Sequence, residues 1–277
     1  MRGWRGLVVI AVSWLAAMPA GAALPTFLPT SVQQGSLVVG LADPDASVRH
    51  DGRTLRVSPE GRFAFGIGRD AAGPARVEVT TPGQATEVIE IAVTPRDWPI
   101  ERVDGVPAAT VDPPKAIAER IAREQAEVTR ARTRDDERSG FSQPFIWPVQ
   151  GRISGRFGNQ RIYNGTPKSP HSGMDITAAN GTPVKAPADG VVSYANPDMY
   201  LTGGTLLLDH GHGVSSNFLH LSRLDVKVGD RVRQGEVIGA VGATGRATGP
   251  HLHWGMNWFD TRVDPLLVLE SSGAATP

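Results

Sequence analysis

The sequence has 277 residues, of which 40% are apolar and 20% charged, with a formal net charge of zero; these values exclude a disordered or collagen-like chain and suit two domains. The absence of cysteine excludes a disulfide framework, a thiolate metal site and a cysteine nucleophile. No dense Lys/Arg block interleaved with aromatic residues occurs, so no nucleic-acid partner is expected.

The first 22 residues have the three-part pattern of a secretory signal peptide. Arg2 and Arg5 precede an apolar run of about 12 residues, and small residues up to Ala22 follow it. That run is shorter than the roughly 20 residues of a membrane-spanning helix. We therefore expect residues 1–22 to be cleaved after Ala22 or nearby, which would leave no permanent membrane span. A retained anchor is the alternative.

Residues 24–97 show the alternating hydrophobicity of half-buried strands, separated by turn signals such as Asp51-Gly52. Short strands about ten residues apart predict a small β-sandwich domain. Its single histidine, His50, lies beside a turn and is expected at the surface. Because this stretch contains no catalytic cluster, we expect it to bind, position or inhibit, and a regulatory protein partner would contact this domain.

The segment 98–142 is predicted to be a linker that contains a charged helix. The helix would begin with Asp112 as N-cap and Pro113 in the first turn. Ile117, Ile121 and Val128 fall along one side, which makes a narrow apolar stripe. Either a solvated connector or an arm that packs on a neighbouring domain fits this pattern.

From residue 143 to 269, short apolar strands alternate with glycines, and no long amphipathic helix is apparent. This pattern predicts an all-β domain, built as an antiparallel sheet or partly open barrel, with function carried on loops and strand ends. Residues 270–277 are predicted to form a flexible tail.

Six of the seven histidines lie in this third region. His171 and Asp175 are four residues apart, and His251 and His253 are two apart, so each pair shares one face of an extended segment. A catalytic zinc ion takes three protein ligands and keeps one position open. The two pairs supply four groups, which leaves one for proton chemistry.

The sequence around these pairs resembles the lysostaphin-type zinc metalloendopeptidases. The similar stretches are residues 165–176, 186–192, 218–222 and 244–253, and the resemblance covers about residues 143–269. It implies a duplicated hybrid motif fold, with one zinc ion held by His171, Asp175 and His253. It also implies that His220 and His251 are catalytic without being ligands.

The resemblance further implies an exported, periplasmic or secreted enzyme that hydrolyses the peptide stems of bacterial peptidoglycan with metal-activated water. In that mechanism His251 would be the general base, and His220 would stabilise the oxyanion or orient the carbonyl. The alternative is a non-enzymatic or latent member of the fold that binds or activates a cell-wall amidase. His210 and His212 flank Gly211 and are read as part of a hairpin turn rather than a second metal site.

Overall fold

The computed structural model describes residues 24–105 and 113–273. The predicted signal peptide and the predicted N-cap Asp112 lie outside these residues. Within them, neither helix combines the length and hydrophobicity that a bilayer-spanning helix requires. The prediction of a mostly β fold is confirmed, whereas the domain boundaries stay a prediction.

The N-terminal region contains seven strands in two sheets. The five-stranded sheet has the order β1-β7-β6-β3-β4, and β2 pairs with β5 in a second sheet. Their buried side chains, among them Phe63, Phe65 and Ile91, form the core between the sheets. The strands are β1 Ser31–Gln33, β2 Leu37–Leu41, β3 Ser47–His50, β4 Arg53–Leu55, β5 Arg62–Gly66, β6 Ala75–Thr80 and β7 Glu87–Thr94.

The linker contributes one strand and one helix. Strand β8, Ile100–Val103, pairs in parallel with β10, Gln160–Tyr163, of the following region. Helix α1, Lys115–Ala131, has no buried residue, and its Glu124 side chain accepts a hydrogen bond from the backbone N–H of Tyr200 at 2.9 Å. Both the strand and the helix of the linker therefore contact the third region.

The third region is built on an open antiparallel sheet with the order β18-β14-β15-β16-β20-β12-β9, to which β21 adds beside β20. Its central strands are buried over nearly their whole length. The sheet strands are β9 Arg152–Gly155, β12 Met174–Thr177, β14 Gly190–Met199, β15 Gly203–Gly211, β16 Val214–Leu221, β18 Arg231–Val232, β20 His251–Trp258 and β21 Thr261–Val263.

Smaller elements complete this region. Strand β11 extends the sheet of β8 and β10, and β17 and β13 flank β19 in a three-stranded sheet. Helix α2 continues past residue 269, and the Ser272 hydroxyl accepts the N–H of Phe145 at 2.9 Å, so the predicted flexible tail begins inside packed structure. These elements are β11 Thr166–Pro167, β13 Pro183–Lys185, β17 Arg223–Leu224, β19 Val237–Ala240, the 3-10 helix Gly140–Ser142 and α2 Pro265–Ser271.

The N-terminal region packs directly against the third region. Arg96 donates to the Asp264 carboxylate at 2.9 Å, and Arg69 donates to the carbonyl of Gly158 at 2.7 Å. The ring of His50 lies 6.1 Å from that of Trp258, and His50 is only 3% exposed. The expectation that His50 lies at the surface is therefore wrong, because packing between the two regions covers it.

Candidate metal centre

Two neighbouring strands of the large sheet bring the two predicted residue pairs together. Asp175 on β12 lies directly opposite His253 on β20, and Thr177 lies opposite His251. Cross-strand partners project from the same face of a sheet, so Asp175, His251 and His253 share one face. His171 reaches the same point from the loop before β12.

Three candidate ligand atoms converge within hydrogen-bond distance of one another. His171 Nε2 lies 3.0 Å from Asp175 Oδ1 and 3.0 Å from His253 Nδ1, and His253 Nδ1 lies 2.8 Å from Asp175 Oδ1. His251 is further away, with its Nε2 3.9 Å from Asp175 Oδ1. The structure thus groups His171, Asp175 and His253 and leaves His251 at the edge.

The hydrogen bonding of this cluster fits a bound cation. The neutral ring of His171 can donate its Nδ1–H to the carbonyl of Arg156 at 3.0 Å, which leaves a lone pair on Nε2. His171 Nε2 faces an ionised carboxylate oxygen of Asp175 and His253 Nδ1. Of these three atoms only His253 Nδ1 can carry a proton, so a single proton cannot satisfy all three close contacts. A metal ion accepts all three lone pairs at once, and the carbonyl of Arg156 fixes the ring orientation.

Electrostatics keep His253 and Asp175 in the protonation states that metal ligands need. Burial lowers the pKa of His253 to about 3, so its imidazole is neutral at pH 7. Although burial opposes ionisation of Asp175, the close imidazole rings of His171 and His253 outweigh it and hold the Asp175 pKa well below its usual range. Neutral imidazole and carboxylate are the forms that bind zinc and similar divalent ions.

His220 reaches the cluster through an unusual backbone conformation. Leu219 pairs with His253, so regular alternation along β16 would turn His220 to the opposite face. His220 instead has a φ of 64°, in the left-handed region, and its ring centroid lies 4.8 Å from that of His251. The residue donates its backbone N–H to Thr202 O at 2.8 Å, which holds this conformation.

The side-chain hydrogen bonds of His220 and His251 fix which ring nitrogen can react. His220 Nδ1 lies 2.8 Å from Thr244 O, and His251 Nδ1 lies 2.8 Å from Gly249 O. Carbonyl oxygens only accept, so each neutral ring carries its proton on Nδ1 and a lone pair on Nε2. Burial and the neighbouring His251 lower the pKa of His220 to about 4, so the His220 ring is neutral at pH 7.

A groove beside the cluster contains residues that sequence reasoning missed. It has a volume of about 470 Å³, and Asp175, His220 and His251 lie along it together with Arg161 and Arg246. Arg161 Nη2 donates to Asp175 Oδ2 at 2.8 Å. Neither arginine belongs to a His/carboxylate pattern, and no periodicity in the sequence marks them.

His210 and His212 lie apart from this cluster. His212 and Gly213 form the predicted turn between β15 and β16, whereas His210 lies inside β15 and is fully buried. Among the described residues, the one group of three or more ligating side chains with metal-site spacing is His171, Asp175 and His253. The hairpin interpretation of this motif is confirmed.

Comparison of the sequence and the structure with known proteins points to one family of peptidases. The sequence model described as "Peptidase family M23" matches residues 169–265. The cell division protein DipM of Caulobacter vibrioides is 32% identical over 70% of this chain and 32% of its own length. The peptidoglycan DD-endopeptidase ShyA of Vibrio cholerae is 41% identical over 39% of this chain and 26% of its own length.

The chain thus spans about a third or less of the length of these curated relatives. A crystal structure of a Pseudomonas aeruginosa protein assigned to peptidase M23 is similar over much more of the chain. It is 33% identical, covers 87% of this chain and 95% of its own, and superposes with a TM-score of 0.67. The similarity therefore includes the N-terminal region as well as the large sheet.

Proposed function

Because the chain belongs to peptidase family M23, we propose that it is an exported zinc metalloendopeptidase that hydrolyses peptide cross-links of bacterial peptidoglycan. The observation that carries this proposal is the convergence of His171, Asp175 and His253 beside two further histidines at the edge of a groove. Relatives named as peptidoglycan endopeptidases support the substrate class and a location in the cell envelope.

In this proposal His171, Asp175 and His253 hold the zinc ion. When bound, a catalytic zinc ion acidifies a water molecule and polarises a carbonyl group. The strand register supports His253 rather than His251 as the third ligand, because Asp175 lies opposite His253. His251 is displaced by two residues along β20, so its side chain is placed beside the ligands.

His251 is proposed as the general base. Its Nε2 carries the lone pair, faces the cluster 3.9 Å from Asp175 Oδ1, and belongs to a side chain that is 17% exposed. It can therefore reach both a water molecule at the cluster and a substrate in the groove. The carbonyl of Gly249 would stabilise the imidazolium that forms when Nε2 takes a proton.

His220 is proposed as a second acceptor that orients the attacking water. Since its Nε2 carries a lone pair and its pKa is about 4, His220 starts the reaction as an acceptor. It can stabilise an oxyanion only after it has received a proton. The expected oxyanion role of His220 therefore belongs after the first proton transfer.

Digestion of purified peptidoglycan tests the proposal. The chain without residues 1–22 is incubated with sacculi, and the muropeptides are quantified by liquid chromatography and mass spectrometry. We expect cross-linked dimers to decrease and monomers to increase, with activity lost on chelation and restored by zinc. If the Asp175→Asn variant digested the cross-linked dimers as fast as the wild-type protein, the proposed zinc-dependent hydrolysis would be contradicted.

The same assay distinguishes the non-enzymatic alternative. A protein that only activates an amidase would leave the cross-links intact when added alone. Added with an amidase, it would increase the release of whole stem peptides from the glycan. That pair of results would replace the proposed endopeptidase activity.

A further inference from the structure

A chain of ion pairs joins the linker to the candidate metal centre. Glu101 lies on β8 of the linker, and its partner in the parallel pairing is Arg161 on β10. Arg161 in turn contacts Asp175. The part of the chain that matches the family model begins at residue 169, so Glu101 and Arg161 both lie outside it.

All three nitrogen atoms of the Arg161 guanidinium group have a partner. Nη2 donates to Asp175 Oδ2 at 2.8 Å, Nη1 donates to the Tyr163 hydroxyl at 2.8 Å, and Nε donates to Glu101 Oε2 at 3.4 Å. Tyr163 is itself buried. A planar guanidinium group that is held from three directions keeps a single orientation.

The two carboxylate oxygens of Asp175 have separate partners. Oδ1 lies 3.0 Å from His171 Nε2 and 2.8 Å from His253 Nδ1, whereas Oδ2 accepts from Arg161. A Cβ built on Gly155 would lie 2.5 Å from Oδ2, so the carboxylate packs directly against the backbone of β9. Arg161 therefore turns Oδ1 toward the two histidines, where this oxygen can serve as a metal ligand.

The positive charge of Arg161 has a cost that Glu101 offsets. A guanidinium group beside a ligand orients that ligand, but it also repels the divalent ion that the ligand would bind. Glu101 supplies a negative charge on the same guanidinium group. The side chains of Arg161 and Glu101 are only 19% and 25% exposed, so water and salt screen their attraction only in part.

We propose that Glu101 is a positioning residue for the metal centre, which acts through Arg161 on the orientation of Asp175. Glu101 raises the affinity of the site for zinc, although Arg161 separates it from the ligands. This inference rests on the proposed function, because it concerns the same zinc ion. It gives the linker a part in metal binding beyond joining two regions of the chain.

Zinc affinity tests this proposal without any need for hydrolysis. Zinc is titrated into the metal-free protein against a competing chelator. We expect Glu101→Gln to lower the affinity about tenfold, at the lower end of the range for residues that orient a metal ligand. An unchanged affinity would overturn the proposal.

Glu90→Gln is the matched control. It removes one carboxylate charge from an ion pair with Arg76 at 2.8 Å in the N-terminal region, and should keep the wild-type zinc affinity. Thermal melting of each variant shows whether the fold is intact. A loss of zinc affinity in Glu90→Gln as large as that in Glu101→Gln would assign the effect to overall charge and overturn the proposal.

A double-variant cycle shows whether Glu101 acts through Arg161. In an Arg161→Gln background, Glu101→Gln should change zinc affinity by less than about threefold, because the group that transmits its effect is absent. A loss of about tenfold in both backgrounds would mean that Glu101 attracts the ion directly by its charge, and would overturn the positioning role.

Cobalt(II) in place of zinc gives a readout that depends on ligand geometry. The visible absorption of bound cobalt should change in Glu101→Gln and stay the same in Glu90→Gln, and identical spectra in all three proteins would contradict the proposal. If the wild-type protein binds zinc and Glu101→Gln binds it equally well, this inference alone fails. If the wild-type protein binds no zinc, the proposed function fails with it.

Discussion

Two groups of buried histidines lie on the same large sheet, one towards each end of β16. His210, near the β15–β16 turn, has both ring nitrogens satisfied by Asp189 O at 2.8 Å and Ser216 Oγ at 2.9 Å. At the other end of β16, His171 and His253 crowd a carboxylate with too few protons to satisfy all contacts.

The histidines of both groups are buried, but the hydrogen-bond partners of their ring nitrogens differ. A carbonyl and a hydroxyl match one neutral imidazole with a single proton, so His210 is a structural residue. Lone pairs that face one another need a cation. We therefore predict that substitutions in the His171, Asp175 and His253 cluster change metal binding and hydrolysis. Substitution of His210, near the other end of β16, should change the free energy of unfolding.

Asp175→Asn should give the largest effect. It removes the charge that His171, His253 and Arg161 all contact, and retains the shape. We expect zinc affinity to fall by more than about 100-fold, since even residues that only orient a ligand contribute 10–100-fold, and hydrolysis to be lost. Zinc titration with a competing chelator measures the affinity. Near-normal affinity would place the ion elsewhere.

His220→Ala should lower kcat about 100-fold while zinc content stays at one ion per chain. In the proposed mechanism the His220 ring orients water, and it is not part of the group formed by His171, Asp175 and His253. Steady-state kinetics with a muropeptide dimer, together with metal analysis of the same sample, provide the measurement. Loss of zinc from this variant would assign His220 to the first coordination sphere.

Acidification should destabilise the metal-free protein. The pKa values of His210 and His253 are lowered by burial, so below pH 6.5 the unfolded chain binds protons that the folded chain does not. Stability therefore falls as pH decreases from 6.5, by about 2 kcal/mol at pH 5 for each histidine that stays neutral. Urea unfolding at pH 7 and pH 5 measures the difference. Constant stability would show that these rings are charged in the folded protein.

His210→Ala should leave activity per folded molecule unchanged. It opens a cavity and removes the partners of Asp189 O and Ser216 Oγ, which should cost about 2–4 kcal/mol of unfolding free energy. Chemical denaturation and zinc analysis on the same preparation separate the two effects. A loss of zinc would mean that both ends of β16 serve the metal.

The cluster was predictable because its residues form local pairs whose spacing places them on one face. That His251 and His253 share a face follows from the two-residue period of a strand. That His171 and Asp175 share a face follows if their segment is extended. The left-handed conformation of His220 is set by a hydrogen bond to Thr202, which no local pattern shows.

Long-range pairing explains what the sequence did not reveal. Strand β8 of the linker pairs in parallel with β10, and this contact brings Glu101 beside Arg161. Parallel pairing joins segments that are far apart in the chain, so neither strand carries a signal for the other. The same reason applies to His50, which packing against Trp258 buries.

The measurement that tests the central claim most directly is the zinc content of His253→Ala and His251→Ala, determined side by side. The strand register places His253 opposite Asp175, and His251 opposite Thr177, beside the proposed ligands. We predict that His253→Ala loses both zinc and hydrolysis, whereas His251→Ala keeps one zinc ion per chain and loses turnover by about 100-fold or more. Loss of zinc in His251→Ala, with zinc retained in His253→Ala, would contradict this account and reverse the two roles.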